Sequence, residues 1–157
     1  MARKKITFEV AGIPRGKGRP RFGKGTIYTP RQTKAYEQSV AWEAKLAIEA
    51  WKHDMGHIEV EPIPWQFFVI VTIMVNVPIP KSWSQKKRMD AIDGLLIRPG
   101  KPDIDNYLKI VCDAMNGVVY VDDAQIQQVS ALKRYSPISK DFKGSPYSGM
   151  IITVEEL

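Results

Sequence analysis

The stretch Lys101-Pro-Asp-Ile-Asp-Asn-Tyr-Leu-Lys-Ile-Val-Cys-Asp-Ala-Met-Asn-Gly-Val-Val-Tyr-Val-Asp-Asp-Ala-Gln125 decides the fold. Pro102 stops any preceding helix, and Asp103 is a good helix N-cap. Ile104, Leu108, Val111 and Met115 recur at helical spacing, which predicts a helix from about Ile104 to Met115. Asn116-Gly117 supplies its stop. Val118 to Val121 reads as a short strand running into Asp122-Asp123.

Asp103 and Asp105 sit two residues apart at an extended-to-helix junction, where both carboxylates can face one solvent pocket. Asp105, Lys109 and Asp113 repeat at i, i+4 and i+8 and share a helix face, away from the apolar stripe. A sheet that brings Asp122-Asp123 beside this helix start makes three or four carboxylates converge. Such a cluster repels itself and tends to hold protons. A divalent cation relieves that repulsion. Mg²⁺ takes oxygen ligands, usually one or two carboxylates with water and substrate phosphate. It activates water and neutralises developing charge, with Lys109 placed to meet the scissile phosphate or orient the attacking water. The candidate ligands are Asp103, Asp105, Asp122 and Asp123. A plainer reading also stands: Asp103 is a cap, Asp105 and Lys109 an ion pair, Asp122-Asp123 a turn.

Working outward, Ile6 to Val10 alternates as a first strand. Gly12 to Gly25 is too rich in Gly, Pro, Lys and Arg for a regular element, and Ile27 to Thr29 suits a short strand. Pro30 opens a helix running from Arg31 to about Lys52, with Ala35, Val40, Ala44, Ala47, Ile48 and Trp51 near helical spacing. A connector spans 58–64. Trp65 to Val77 reads as a central strand buried on both faces. Ser82 or Ser84 caps a short helix to about Ile92. Residues 94–102 form a loop, Ile126 to Tyr135 a strand, 136–147 a polar loop, and Met150 to Val154 a closing strand. With no repeat and no linker, the expectation is one α+β domain over residues 1–157, a mixed sheet packed against two main helices.

Charge is unevenly placed. Residues 1–34 carry ten Lys/Arg against one acid, Glu9, while the remainder carries thirteen basic and sixteen acidic residues. A basic segment on an acidic body suits a polyanion partner and a separate acidic site. Arg15, Lys17, Arg19, Arg21 and Lys24 are the candidate DNA-binding residues, with glycines between them that allow close approach. Phe22 or Tyr28 is a candidate for stacking on an opened base, against ordinary packing. The single cysteine, Cys112, excludes an internal disulfide framework and suits a reducing compartment. The apolar run at Trp65–Val77 is too short to span a membrane. A cytoplasmic location is expected.

The blocks Lys101–Lys109, Asp113–Gly117 and Tyr120–Gln125, in that order and within 25 residues, resemble the core signature of the RusA family of crossover-junction endodeoxyribonucleases. Pro14-Arg-Gly-Lys-Gly-Arg-Pro-Arg21 and Tyr28-Thr-Pro30 are similar to its phage and prophage branch. The resemblance implies a RusA-like fold, Mg²⁺ dependence with Mn²⁺ as a substitute, a homodimer, and resolution of Holliday junctions and related branched DNA by paired symmetric nicks. It places the catalytic aspartates on Asp103, Asp105 and Asp123 and the essential lysine on Lys109. Asp113 and Asp122 are neighbouring acids whose roles it leaves open. The longer basic loop and the segment 80–100 depart from the shorter bacterial members.

Other features carry less. His53 and His57 lack a third soft ligand for zinc and suit a fraying helix end. Cys112 lies among apolar residues with no base and suits a core position. Trp42, Trp51 and Trp65 suit the core, Trp83 is undecided, and Lys86-Lys-Arg88 suits a solvated face or a second phosphate contact. Two functions compete with cleavage. A non-catalytic junction- or DNA-binding protein needs the basic arm but not the acids. A nucleotide-sugar transferase uses Asp-x-Asp, yet no Gly-rich strand–turn–helix is present.

Overall fold

Alternation of apolar and polar residues makes Lys5–Ala11 a strand with one wet face. Ile6, Phe8 and Val10 point inward and their neighbours outward. In the computed structural model, which describes residues 4–56, 63–97, 100–136 and 148–157, this strand (β1) lies at one edge of a four-stranded sheet. The others are β4 (Val69–Val77), β5 (Ile126–Tyr135) and β6 (Gly149–Glu156). Their order is β1-β6-β4-β5, with β4 and β5 parallel and the other pairs antiparallel. The sheet is mixed, as expected. The closing strand does not lie at an edge. It is inserted between β1 and β4, where its backbone is paired on both sides.

Two helices cover one face. α1 (Arg31–Met55) buries Thr33, Tyr36, Val40, Ala44 and Ile48. This stripe omits Ala35, which is exposed, and includes Thr33 and Tyr36, which apolar spacing missed. α3 (Ile104–Met115) has the bounds the sequence suggests, but its buried side is Tyr107, Ile110, Val111, Cys112, Ala114 and Met115. Ile104, placed on the stripe by spacing, is 40% exposed in the first turn. The short α2 (Gln85–Ile92) is capped by Ser84, whose side chain accepts from the Lys87 amide.

The main departure concerns β4. Val69, Val71, Ile73 and Val75 are buried, while Thr72 on the opposite face is exposed and Ile70 and Met74 are half-buried. Among the described residues, helices cover only one side of the sheet, so the strand is not buried on both faces. It also starts at Val69. The fully buried Trp65 instead makes an isolated bridge to Tyr120. Residues 118–121 form the end of a turn and a single bridge at Tyr120, not a strand. Gly117 N donates to Tyr120 O, the Tyr120 hydroxyl donates to Cys112 O, and Trp65 N donates to Val119 O. The glycine-rich arm holds a small hairpin, β2 (Arg21–Gly23) with β3 (Thr26–Tyr28). Trp42, assigned to the core, is 61% exposed on α1. His57, most of the 58–64 connector and nearly all of the polar loop at 136–147 lie outside the described residues.

Candidate active site

Asp103 is the N-cap of α3 with extended backbone, and Asp105 stands in the helix's first turn. Anions there gain from the orphan amides and the positive end of the helix dipole. The side chain of Asp103 pairs with Lys101, whose hydrogen bond holds the Asp103 carboxyl below the usual range. Lys133, on the helix-covered face of β5, donates to the carbonyls of Gly100 and Pro102, each at 3.1 Å. Its charge also acts on Asp103. Lys133 thus ties the approach to Asp103 onto the sheet. Sequence reading missed this role because a lysine inside a strand pattern reads as a solvated position.

One turn further, Lys109 does not pair backward with Asp105. It donates to Asp113 at 2.8 Å, and that hydrogen bond raises its pKa. Asp105 is exposed, and among the described residues it accepts from Asn106 Nδ2 at a long 3.4 Å. Asp123 follows the turn that folds back on α3. It carries no ion pair among the described residues, and its charge acts on Lys109, Cys112 and Tyr120. Gln125 fixes this return by donating to the carbonyls of Trp65 and Phe67 at 2.9 and 2.8 Å. Asp122 is engaged locally. Its carboxylate accepts from Ala124 N at 2.8 Å, in a capping box with Gln125.

The basic arm docks on this acidic face. Lys17 N donates to Asn106 O at 2.8 Å, and Lys17 Nζ bridges Glu37 of α1 and Asp113 of α3, 2.8 Å from the latter. Burial works against the ammonium, but Asp113 and Glu37 outweigh it and raise the Lys17 pKa. Burial likewise opposes the charge of Asp113, and Lys109 with Lys17 overcome it and hold its pKa low. The contact is close enough that a Cβ on Gly16 would lie 2.7 Å from Pro102 Cβ and 3.0 Å from Asn106 Cβ. Lys17 therefore joins the two halves of the surface, while Arg15, Arg19, Arg21 and Lys24 remain exposed. An open cavity of about 350 Å³ lies beside the arm, lined in part by Arg15, Arg21, Gln32 and Pro102.

Cys112 is buried, and burial pushes its thiol up to about 11, so it is not a nucleophile at neutral pH. His53 is exposed on the last turn of α1, 3.9 Å from Asp54. Among the described residues, no three His, Cys, Asp or Glu side chains stand ready as a metal cage. The donor chemistry nonetheless fits a hard cation of the kind that takes one or two carboxylates and completes its shell with water and phosphate. Asp105 and Asp123 are carboxylates with no ion pair among the described residues.

Fold and site together describe a small α+β domain with an acidic helix face and a basic arm fastened beside it. Residues 11–140 match the family model for the endodeoxyribonuclease RusA. The uncharacterized protein YqaN of Bacillus subtilis strain 168 is 36% identical over 137 residues, covering 83% of this chain and 88% of the relative. The chain belongs to the RusA endodeoxyribonuclease family, a family that acts on Holliday junctions. Among the described residues, no helix is long and apolar enough to cross a membrane.

Proposed function

We propose that this protein is a Mg²⁺-dependent, structure-selective DNA endonuclease that resolves Holliday junctions and related branched DNA by paired symmetric nicks, acting as a homodimer in the cytoplasm. The observation that carries the reading is the Lys17 bridge. It fastens an arm rich in arginine to the helix that bears Asp105, Lys109 and Asp113. Acids that would repel a DNA backbone are thereby held next to cations that attract it. A protein that only bound DNA gains nothing from that arrangement.

Asp103, Asp105 and Asp123 would hold the cation, and Asp122, whose Oδ1 caps Ala124, would join through its other oxygen. Bound there, Mg²⁺, or Mn²⁺ in its place, supplies an activated water and offsets charge on the phosphate. The chain's own residues do the remainder. Arg15, Arg19, Arg21 and Lys24 neutralise phosphates and set the register of the backbone. Lys109 leaves Asp113 for the scissile phosphate, and Asp113 stays compensated because Lys17 remains beside it. Two-fold symmetry gives each of two junction strands an identical site.

One observation favours the second reading, a junction binder without cleavage. The described acids are not preassembled as a three-ligand cage, and Asp103 already pairs with Lys101. A synthetic four-way junction with labelled strands separates the two. Cleavage predicts paired nicks that need Mg²⁺ and vanish in Asp105→Asn, with binding retained. Salt-sensitive binding with no nicks in Mg²⁺ or Mn²⁺ would establish the binder.

A further inference from the structure

The hairpin of β2 and β3 turns on Lys24 and Gly25, whose φ values are 49° and 77°. Two consecutive positive φ angles match the type I′ turn, whose twist suits a tight two-residue hairpin. Phe22 and Ile27 are directly opposed across the ribbon, so their side chains share one face. They are 77% and 75% exposed. A Cβ on Gly23 would lie 3.1 Å from the Tyr28 ring, so that ring folds across the glycine. Tyr28 is thus explained by packing within the hairpin, and the Phe22–Ile27 pair is not.

An isolated two-stranded ribbon is marginal in water, and an uncovered Phe–Ile pair adds an unfavourable exposed surface to it. The surroundings identify the occupant. Between Glu9 and Glu37 the chain has no acid, while Arg15, Lys17, Arg19, Arg21, Lys24, Arg31 and Lys34 fall within that span. An apolar tip set in uniformly positive chain is matched by a polyanion that also offers apolar faces, which is nucleic acid with bases out of the stack. An intact duplex offers phosphate without accessible base faces along its length; a branch point offers both.

We infer that the Phe22–Ile27 face of the hairpin is a wedge that stacks on unpaired or unstacked bases at a DNA branch point. This deepens the reading of the chain as a nuclease of branched DNA and rests on it for the substrate. It assigns branch selectivity to residues apart from the acidic site. Basic contacts along the arm bind any DNA, and Phe22 separates a branch from a plain duplex.

The test uses the full-length protein and a four-way junction carrying 2-aminopurine at the crossover, with Ca²⁺ in place of Mg²⁺ to hold the strands intact. Unstacking brightens 2-aminopurine. The wild type is expected to raise its fluorescence on binding. Phe22→Ala is expected to lose that rise and to lose at least about fivefold in preference for junction over linear duplex, the lower end expected for one stacked base. Its affinity for linear duplex stays unchanged, and Phe22→Trp keeps the preference for the junction. Because Phe22 is exposed, none of these variants threatens the fold. An unchanged rise in Phe22→Ala, or no rise in a wild type that binds the junction, overturns the inference. So does a dimer-to-monomer shift of Phe22→Ala in light scattering, which would make the face a contact between copies. A fluorescence rise that depends on Phe22 in a protein that never nicks the junction in Mg²⁺ would sink the nuclease reading and uphold the wedge.

Discussion

Lys17 Nζ lies 2.8 Å from an Asp113 carboxylate oxygen while the other oxygen of that carboxylate accepts from Lys109 at the same distance. One acid therefore serves two lysines, one from the arm and one from the candidate active site. Removing Lys17 leaves Asp113 with Lys109 alone and draws that ammonium away from substrate. Lys17→Met is expected to lower junction cleavage about 10- to 100-fold, a range set by roughly 1.5–3 kcal/mol for a hydrogen bond to a charged group. Lys17→Arg should recover part of the loss. The kinetic signature is a fall in kcat larger than the rise in KM. A change confined to KM would make Lys17 a simple phosphate contact.

The same bridge has a pH signature. The Asp113 pKa is held below its ordinary 3.8, so its contribution is present above that value and lost as pH falls through the folded pKa. The Lys17 pKa is raised above 10.5, so its contribution is present below 10.5 and lost as pH rises through the folded value. A double-mutant cycle on Lys17 and Asp113, read by thermal unfolding, should give a coupling that is level from about pH 5 to 9 and shrinks at both extremes. A coupling that varies across the neutral range would point to a different partner.

Lys133→Met should free the Gly100–Pro102 approach and misplace Asp103. Groups that orient a metal ligand typically matter 10- to 100-fold. The half-saturating Mg²⁺ concentration for cleavage should rise by about that factor, with binding to DNA in the absence of metal unchanged. Unaltered Mg²⁺ dependence would show that Lys133 acts on the loop alone.

Gly16→Ala places a methyl group 2.7 Å from Pro102 Cβ, in a contact between arm and helix that has no flexible side-chain end to yield. Overpacking of this kind costs about 1–3 kcal/mol. Chemical denaturation should show that loss together with reduced cleavage, since the arm and the start of α3 must part. Full stability and activity in this variant would mean that the arm docks differently.

The helix of Ile104–Met115 was legible from its cap, its stop and its periodicity, all of which are local. The order of the sheet was not, because β6 pairs with β1 from the far end of the chain and no local signal encodes a partner about 145 residues away. Periodicity placed Ile104 in the core, but Ile104 is 40% exposed in the first turn of α3, so tertiary placement overrode spacing. The acidic face was legible from Asp105, Lys109 and Asp113 as residue types at helical intervals. Their pairing was not, since Lys109 has an acid one turn away on either side, Asp105 and Asp113, and spacing does not choose between them. Lys133 and Glu37 escaped notice because their partners are distant in the chain. Each looks like an ordinary surface charge until the chain brings it to α3.

The most direct test of the acidic site is anomalous diffraction from Mn²⁺ in a complex with a four-way junction whose scissile phosphate resists cleavage. Mn²⁺ is expected on carboxylate oxygens of Asp103, Asp105 and Asp123 and on a phosphate oxygen, at roughly 2.0–2.2 Å by analogy with hard divalent ions. Mn²⁺ seated elsewhere on the protein, with Asp123 turned away from the DNA backbone, would contradict it.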